Sequence, residues 1–290
     1  MSRKPIFLAV TALVLASLAC NLNVNLPLRQ RETGPTVTEE INIPLPAGQT
    51  GAADLEIRFG GGELDLSPGA ESALVTGTAA YNVEELKPEV STKGGRVLIS
   101  QGDFDNIGSL PNLRDNVENR WDLAIGDAPL NLTIAAGAYR GRMEFGGLSL
   151  NSLRITDGAA ENVLSFSEPN QADMDTLTYE TGASNVTLTG LANANFSRLA
   201  FRSGAGSYTL DFSGELQRDA AVEVTSGVSS VSIIVPEGTA ARLSYEGALL
   251  NVDARDSWQA SSGDYILSGE GPTITITVEM GAGNLELSNR

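Results

Sequence analysis

Histidine is absent from the 290 residues, and cysteine occurs once, at Cys20. Without imidazole there is no Ser-His-Asp or Cys-His catalysis, no imidazole metal site, and not the commonest general base near neutral pH. One thiol alone makes no intramolecular disulfide and no Cys-rich zinc site. Basic residues are also scarce: 19 Lys and Arg stand against 36 Asp and Glu, for a formal charge of −17. That charge repels phosphate backbones, and no Lys/Arg stripe offsets it, so no nucleic-acid partner is expected. It repels an anionic membrane surface too, so attachment there needs an inserted or covalent anchor. Beyond the signal-like N-terminus no apolar run is long enough to span a bilayer. The motifs GxSxG, SxxK, GxxxxGK[ST] and GxGxxG are missing as well. No catalytic residue, metal site or cofactor is therefore assigned.

Met1 to Cys20 supplies an anchor of the required kind. Arg3 and Lys4 form a basic head, and Ile6 to Ala19 is an apolar run broken only by Thr11 and Ser17. At about 14 residues it is short for a membrane span but suits the apolar region of a signal segment. It ends in Ser17-Leu18-Ala19-Cys20, which resembles the lipobox of bacterial lipoproteins, with Ser17 in a place where Leu is usual. The resemblance implies a signal peptide at 1–19, acylation of Cys20, and an extracytoplasmic protein held to a membrane by its lipid. An ordinary secretory signal with an incidental cysteine is the alternative. Residues 20–38 read as a tether, with Pro27, Gly34 and Pro35 and no core-forming period.

The rest is organised by a repeated phrase. It begins at Gly137 (GAYRGRMEF), Gly158 (GAAENVLSF), Gly182 (GASNVTL), Gly204 (GAGSYTLDF), Gly227 (GVSSVSIIV) and Gly281 (GAGNLEL). The first five of these glycines are almost evenly spaced, as their numbers show. A near-constant period of this size marks a solenoid, each repeat being one coil stacked on the last. Every unit has an alternating apolar strand, a glycine turn and a second alternating strand, as in Val222 and Val224, Gly227, then Val231 and Ile233. Glycine and alanine are expected where the backbone turns tightly, because other residues would clash or need positive φ. Leu55, Ile57 and Phe59, then Gly60-Gly61-Gly62, then Leu64 and Leu66 form an early, imperfect copy. Gly247 reads as another turn, one period after Gly227. A polar insertion follows from Arg255 to Gly271, in which Trp258 and Tyr265 are candidate ligand contacts; the alternative for Trp258 is that it plugs the end of the solenoid. The expected fold is all-β: a single-stranded parallel β-solenoid over 132–290, continuous with a β-rich N-terminal domain over 39–131.

Acidic residues such as Asp65, Glu180, Asp211 and Glu286 fall on outward positions, where a solvated face accounts for them. Asp103-Phe104-Asp105-Asn106 resembles the start of a calcium loop but lacks the downstream spacing and the bidentate Glu, so an Asx-rich turn is the reading. Sequons at Asn131, Asn185 and Asn195 read as outward Asn on the coils.

The chain resembles the toast-rack family, with its LiaF-like, adhesin-like C-terminal domain. The matching words are Trp121-Asp122-Leu123, Phe166-Ser167-Glu168-Pro169-Asn170, the Gly-Ala-Gly turns, Ser207 to Leu216, and Ile234-Val235-Pro236-Glu237-Gly238. Leu55 to Gln101 resembles the N-terminal toast-rack domain. The resemblance implies a parallel β-solenoid and, in some members, a part in envelope stress signalling beside transmembrane helices that this chain lacks. The expected role is a non-catalytic envelope lipoprotein presenting its solenoid for binding or adhesion, to another envelope protein or a glycan, with a link to the envelope stress response as the resemblance implies. The alternatives are a carbohydrate-active hydrolase using two carboxylates on the solenoid flank, and a structural spacer.

Overall fold

Alternation in this sequence slips by one residue at each repeat glycine, and that slip builds the fold. In Ala220–Val235 the residues up to Ser226 alternate buried and exposed; Gly227 and Val228 are then both exposed, and alternation resumes at Ser229. Two successive outward residues turn the strand through a corner while keeping both arms' apolar sides inward. A computed structural model describes residues 33–48, 50–101 and 117–289. Cys20 and Asp103-Phe104-Asp105-Asn106 lie outside the described residues. Among those described, strands dominate, with two short 3-10 turns and no α-helix.

The body is a stack of long bent strands, parallel and in register. Its layers are β2 (Ala53–Pro68), β7 (Leu130–Glu144), β8 (Leu150–Ser165), β9 (Met174–Thr189), β10 (Phe196–Asp211) and β11 (Ala220–Val235). Strands of this length would be unusual in a flat sheet. Here each is two arms, and neighbour pairing runs through both while skipping the corner glycine. Equivalent side chains therefore stack about 4.8 Å apart in columns. Leu55, Leu132, Leu153, Leu177, Leu199 and Val222 make one fully buried column. Phe201 packs on Tyr179 and Tyr208, with ring centroids 5.6 and 5.2 Å away. This is the all-β parallel solenoid.

Short connections close the third side of each coil. Phe145 and Phe166 meet there at 6.0 Å. Asparagines tie one connection to the next by satisfying its backbone: Asn170 accepts from the Leu150 N–H and donates to the Leu150 carbonyl, both at 2.8 Å. Asn193 donates to the Phe166 carbonyl at 2.9 Å and accepts from the Glu215 N–H at 2.8 Å. The amide does this because its oxygen accepts while its NH2 donates, where a carboxylate could only accept.

Chain order and stacking order part company after β11. The layer on β11 is β15 (Gly269–Asn289), and β12 (Gly238–Ala254) lies beyond it, so the later strand is inserted between two earlier ones. Gly281, not Gly247, sits over Gly227. The reason is visible in the side chains. Ile274, Ile276, Val278, Leu285 and Leu287 let β15 fill both arms of an interior layer, all of them fully buried.

The two ends are finished differently. At the β2 end one arm pairs with β5 (Arg96–Gln101), capped antiparallel by β4 (Pro88–Lys93). The other pairs with β6 (Asn119–Ile125), capped antiparallel by β3 (Ala73–Tyr81) and then β1 (Val37–Pro44). At the β12 end the first arm is capped antiparallel by β14 (Asp264–Leu267), which pairs with β13 (Gln259–Ser261). These short strands form a hairpin within the stretch read from sequence as a polar insertion. The second arm of β12, Leu249 to Ala254, pairs with β15 and, among the described residues, carries no strand on its far side.

Candidate functional site

The six repeat glycines form one column along the corner, continued by Gly60. A Cβ on Gly204 would lie 2.6 Å from the Gly182 carbonyl oxygen, on Gly227 2.5 Å from that of Gly204, and on Gly281 2.8 Å from that of Gly227. Gly182 and Gly137 are tighter still, against Gly158 and Gly60, while Gly158 is the loosest at 3.2 Å. None of the six has positive φ. Close approach of stacked backbones is therefore what excludes a side chain here, and not left-handed geometry.

Inside the corner lies a polar cluster. Asp157, 6% exposed, accepts from the Tyr179 hydroxyl at 2.8 Å, from the Tyr139 hydroxyl at 3.3 Å and from Thr181. Asn162 donates to Tyr179 at 2.8 Å and Tyr139 at 3.1 Å. It occupies a column otherwise held by residues such as Val186, Tyr208 and Val231. Gly141 makes room for it, since a Cβ there would lie 2.5 Å from its Oδ1. Thr181 and Ser184 share a hydroxyl bond at 2.5 Å, and Ser203, Ser226 and Ser229 continue the line at 2.8 and 2.6 Å. Burial pushes the Asp157 carboxyl above its usual range, while the surrounding hydroxyls pull the other way. Burial raises both tyrosines too, and the nearby Asp157 adds to it. The partners of this carboxyl are hydroxyls, with no second carboxylate among them, so the cluster braces the corner and does not form an acid pair. None of its members was singled out from the sequence. The signal was there as polar residues at inward register positions, Asp157 just before a repeat glycine and Asn162 four after it.

Outside the corner the surface changes character along the stack. On β2, β7 and β8 it is charged: Arg140 lies between Glu161, at 3.2 Å, and Glu63, at 3.7 Å. These three border an open depression of about 340 Å³, with Gly62, Ala138 and Tyr139. In that same row the charge stops from β9 onward, although Glu180, Arg202 and Glu279 still flank the other side of the corner. The row three residues after the corner reads Asn185, Ser207, Ser230, Asn284, Asn251, all exposed. The corner row beside it reads Ala183, Ala205, Val228, Ala282, Leu249, with Val228 66% and Leu249 77% exposed. Thr187, Thr209 and Ser232 add a third row on β9 to β11, which turns charged at Glu286 of β15 and Asp253 of β12, both paired with Arg255. The result is a neutral panel of hydroxyl, amide and small apolar groups about 19 Å long on a strongly acidic chain.

The residues expected from sequence are dispersed. Trp258 is 7% exposed, packs into the core of the last coils and donates its indole N–H to the Ser288 carbonyl at 3.3 Å. Tyr265 is half-buried and stacks on Tyr245 at 5.8 Å. The outward acids have partners: Asp65 pairs with Arg120 and Arg142, Glu180 with Arg154 and Arg202, Glu286 with Arg255, and Asp211 accepts from the Ser213 N–H. Among the described residues no three His, Cys, Asp or Glu converge to hold a metal, and no helix is long and apolar enough to cross a membrane.

A parallel solenoid turned on a glycine column is the class these features define. The family model described as the N-terminal domain of toast_rack, DUF2154, matches residues 32–189 and again 170–234. The chain belongs to that family, and the second match falls on the repeats, where the phrase recurs. Three solved structures are similar in shape. A candidate cell adhesion protein from Clostridium sporogenes is 17% identical with a TM-score of 0.49, covering 88% of this chain and 100% of its own. A candidate adhesin from Bacteroides fragilis is 12% identical at 0.42, covering 87% and 96%. A candidate lipid-binding protein from Parabacteroides distasonis is 13% identical at 0.36, covering 86% and 96%. Comparison with curated proteins found no match.

Proposed function

We propose that the chain is a non-catalytic adhesion module whose lateral panel binds a neutral, hydroxyl-rich polymer, a polysaccharide of the cell envelope or of a surface it meets. The observation that carries this reading is a pair of adjacent outward rows that hold no charge from β9 to β12 in a protein of net charge −17. Solubility alone favours charge on an outward row. Rows of Asn, Ser and Thr instead offer donors and acceptors on a rigid lattice, with little rotamer entropy to lose on binding. Repeating hydroxyls of an extended glycan match a repeating array better than a single pocket. In the same reading residues 1–19 are removed, Cys20 carries acyl chains, and 20–38 tether the solenoid outside the cytoplasm.

Glycan-array binding of the full chain tests the panel. Ser207→Glu with Ser230→Glu should cut binding at least about tenfold with an unchanged melting midpoint, because it places charge in the middle of the neutral row. Binding untouched by that pair overturns the reading. Release of sugar that disappears on replacing one particular Asp or Glu would replace it with the hydrolase.

A further inference from the structure

Three of the four arm edges that end the stack carry an antiparallel strand of this chain: β4 lies on β5, β3 on β6, and β14 on the start of the first arm of β12, Ala241 to Leu243. The fourth, the second arm of β12, has no such cover among the described residues. Its inner side is unfinished in the same way. Leu285 and Leu287 of β15 are fully buried, but their column neighbours Val252 and Ala254 are only half-buried, as is Leu250. A bare, straight strand edge with apolar residues on its inner face is a template for another strand.

We propose that the occupant is a second copy of this chain, paired antiparallel through the same arm about a two-fold axis at Val252. An axis at Val252 pairs the whole of 250–254 within the arm, whereas one at Leu250 or Ala254 would pair only an end of it. Directly opposed residues of an antiparallel pair point to the same face, so the axis must pass through a residue and not between two. With the axis at Val252, Leu250 faces Ala254 of the partner copy and Val252 faces its own counterpart, all on the inner side. On the outer side Asn251 faces Asp253. An axis at Asp253 would oppose two like charges, and one at Asn251 would set Leu249 against a carboxylate. Charge at this tip is already balanced within each copy: Arg255 pairs with Asp253 at 2.7 Å and with Glu286 at 2.5 Å. The antiparallel sense repeats the cap used on the other three arms, and the apolar columns of one solenoid run on into the next. This surface goes beyond the lateral panel and meets it at Leu249 and Asn251, where the panel ends. In the dimer the strand order reads from β1 to β12 and back to β1, so the two β1 ends lie about 100 Å apart, pointing away from each other.

The test is sedimentation of the full chain carrying Cys20→Ser, so that no acyl chain drives association. A concentration-dependent dimer is expected, tighter at higher salt because two strongly acidic copies repel each other overall. Val252→Lys should weaken it at least about tenfold. Should that variant fail to fold, Val252→Cys in the Cys20→Ser background keeps the question open to an answer. On oxidation it should form a disulfide dimer, because the counterpart residues face each other across the axis at strand-pair distance. Thr209→Cys, on the lateral flank, should not. A chain that stays monomeric as concentration rises, or that cross-links no faster through Val252→Cys than through Thr209→Cys, overturns the proposal.

Discussion

Gly227→Ala should destabilise the solenoid while Gly158→Ala leaves it unchanged or slightly more stable, although both replace the same glycine of the same repeat. Neither residue has positive φ, so an alanine is not strained by its own backbone. The difference lies in what its methyl would touch. On Gly227 the Cβ would lie 2.5 Å from the Gly204 oxygen, and on Gly158 3.2 Å from the Gly137 oxygen. Carbon–oxygen contacts are comfortable from about 3.3 Å, so the first is short by about 0.8 Å and the second by about 0.1 Å. Relief at Gly227 requires two strands to part that are paired on both sides of the corner, Ser203 with Ser226 and Ala205 with Val228. Forcing an atom into a packed site of this kind costs about 1–3 kcal/mol. Against it stands about 0.4–1 kcal/mol gained by restricting the unfolded chain, common to both variants. The net is a loss of up to about 2.5 kcal/mol at Gly227 and a gain of up to about 1 kcal/mol at Gly158. At about 2–4 °C per kcal/mol, melting should fall by up to about 10 °C in the first case only. Urea midpoints with constant slope, read beside calorimetry, measure it. Equal midpoints for the two alanines would refute close approach as the reason for the column.

Two further outcomes follow from the interior. The folded pKa of Asp157 is raised by burial, so its stabilising contribution is present below the ordinary carboxylate range and is lost as pH rises through the raised value. Asp157→Asn should therefore gain stability relative to the parent near neutral pH, and the gain should shrink on acidification; midpoints measured across that range would fail the reasoning if the difference were flat. Leu199→Ala, at a fully buried position, should cost about 2–5 kcal/mol. Val228→Ala, at an exposed corner position, should leave the midpoint of the same denaturation assay almost unmoved. A comparable loss at both would contradict the assigned inner and outer faces.

Much of the fold was legible because coil, strand and column share one period. Leu153, Leu177 and Leu199 each precede a repeat glycine by the same offset, and that offset is the column in which they stack. What fails to show locally is which coil lies on which. Gly247 and Gly281 both look like the next corner after Gly227, and only the apolar content of both β15 arms decides that Gly281 takes the place. Trp258 has two readings in the sequence, a ligand contact among polar neighbours or a plug at the solenoid end, and its burial in the last coils favours the second. The neutral panel was present in the sequence as separate Asn, Ser and Thr residues scattered over several repeats, and became a surface only when registers aligned them. Asp157 and Asn162 went unnoticed because polar residues on a glycine-rich repeat read as outward, whereas Gly141 opens the space that brings Asn162 in.

The insertion of β15 beneath β12 has a consequence for synthesis. Coils from β7 to β11 can be laid down one at a time as the chain emerges, each seating on a finished neighbour. That growth must halt at Val235, because the next segment made, β12, belongs one layer further out than the surface then on offer. It waits, with its hairpin, until β15 is available to seat on β11. A chain cut short near Leu267 would thus have a bare β11 edge and all of β12 and its hairpin unseated, the state most open to proteases and to pairing with the wrong strand. Closure of this end of the stack therefore falls to β15.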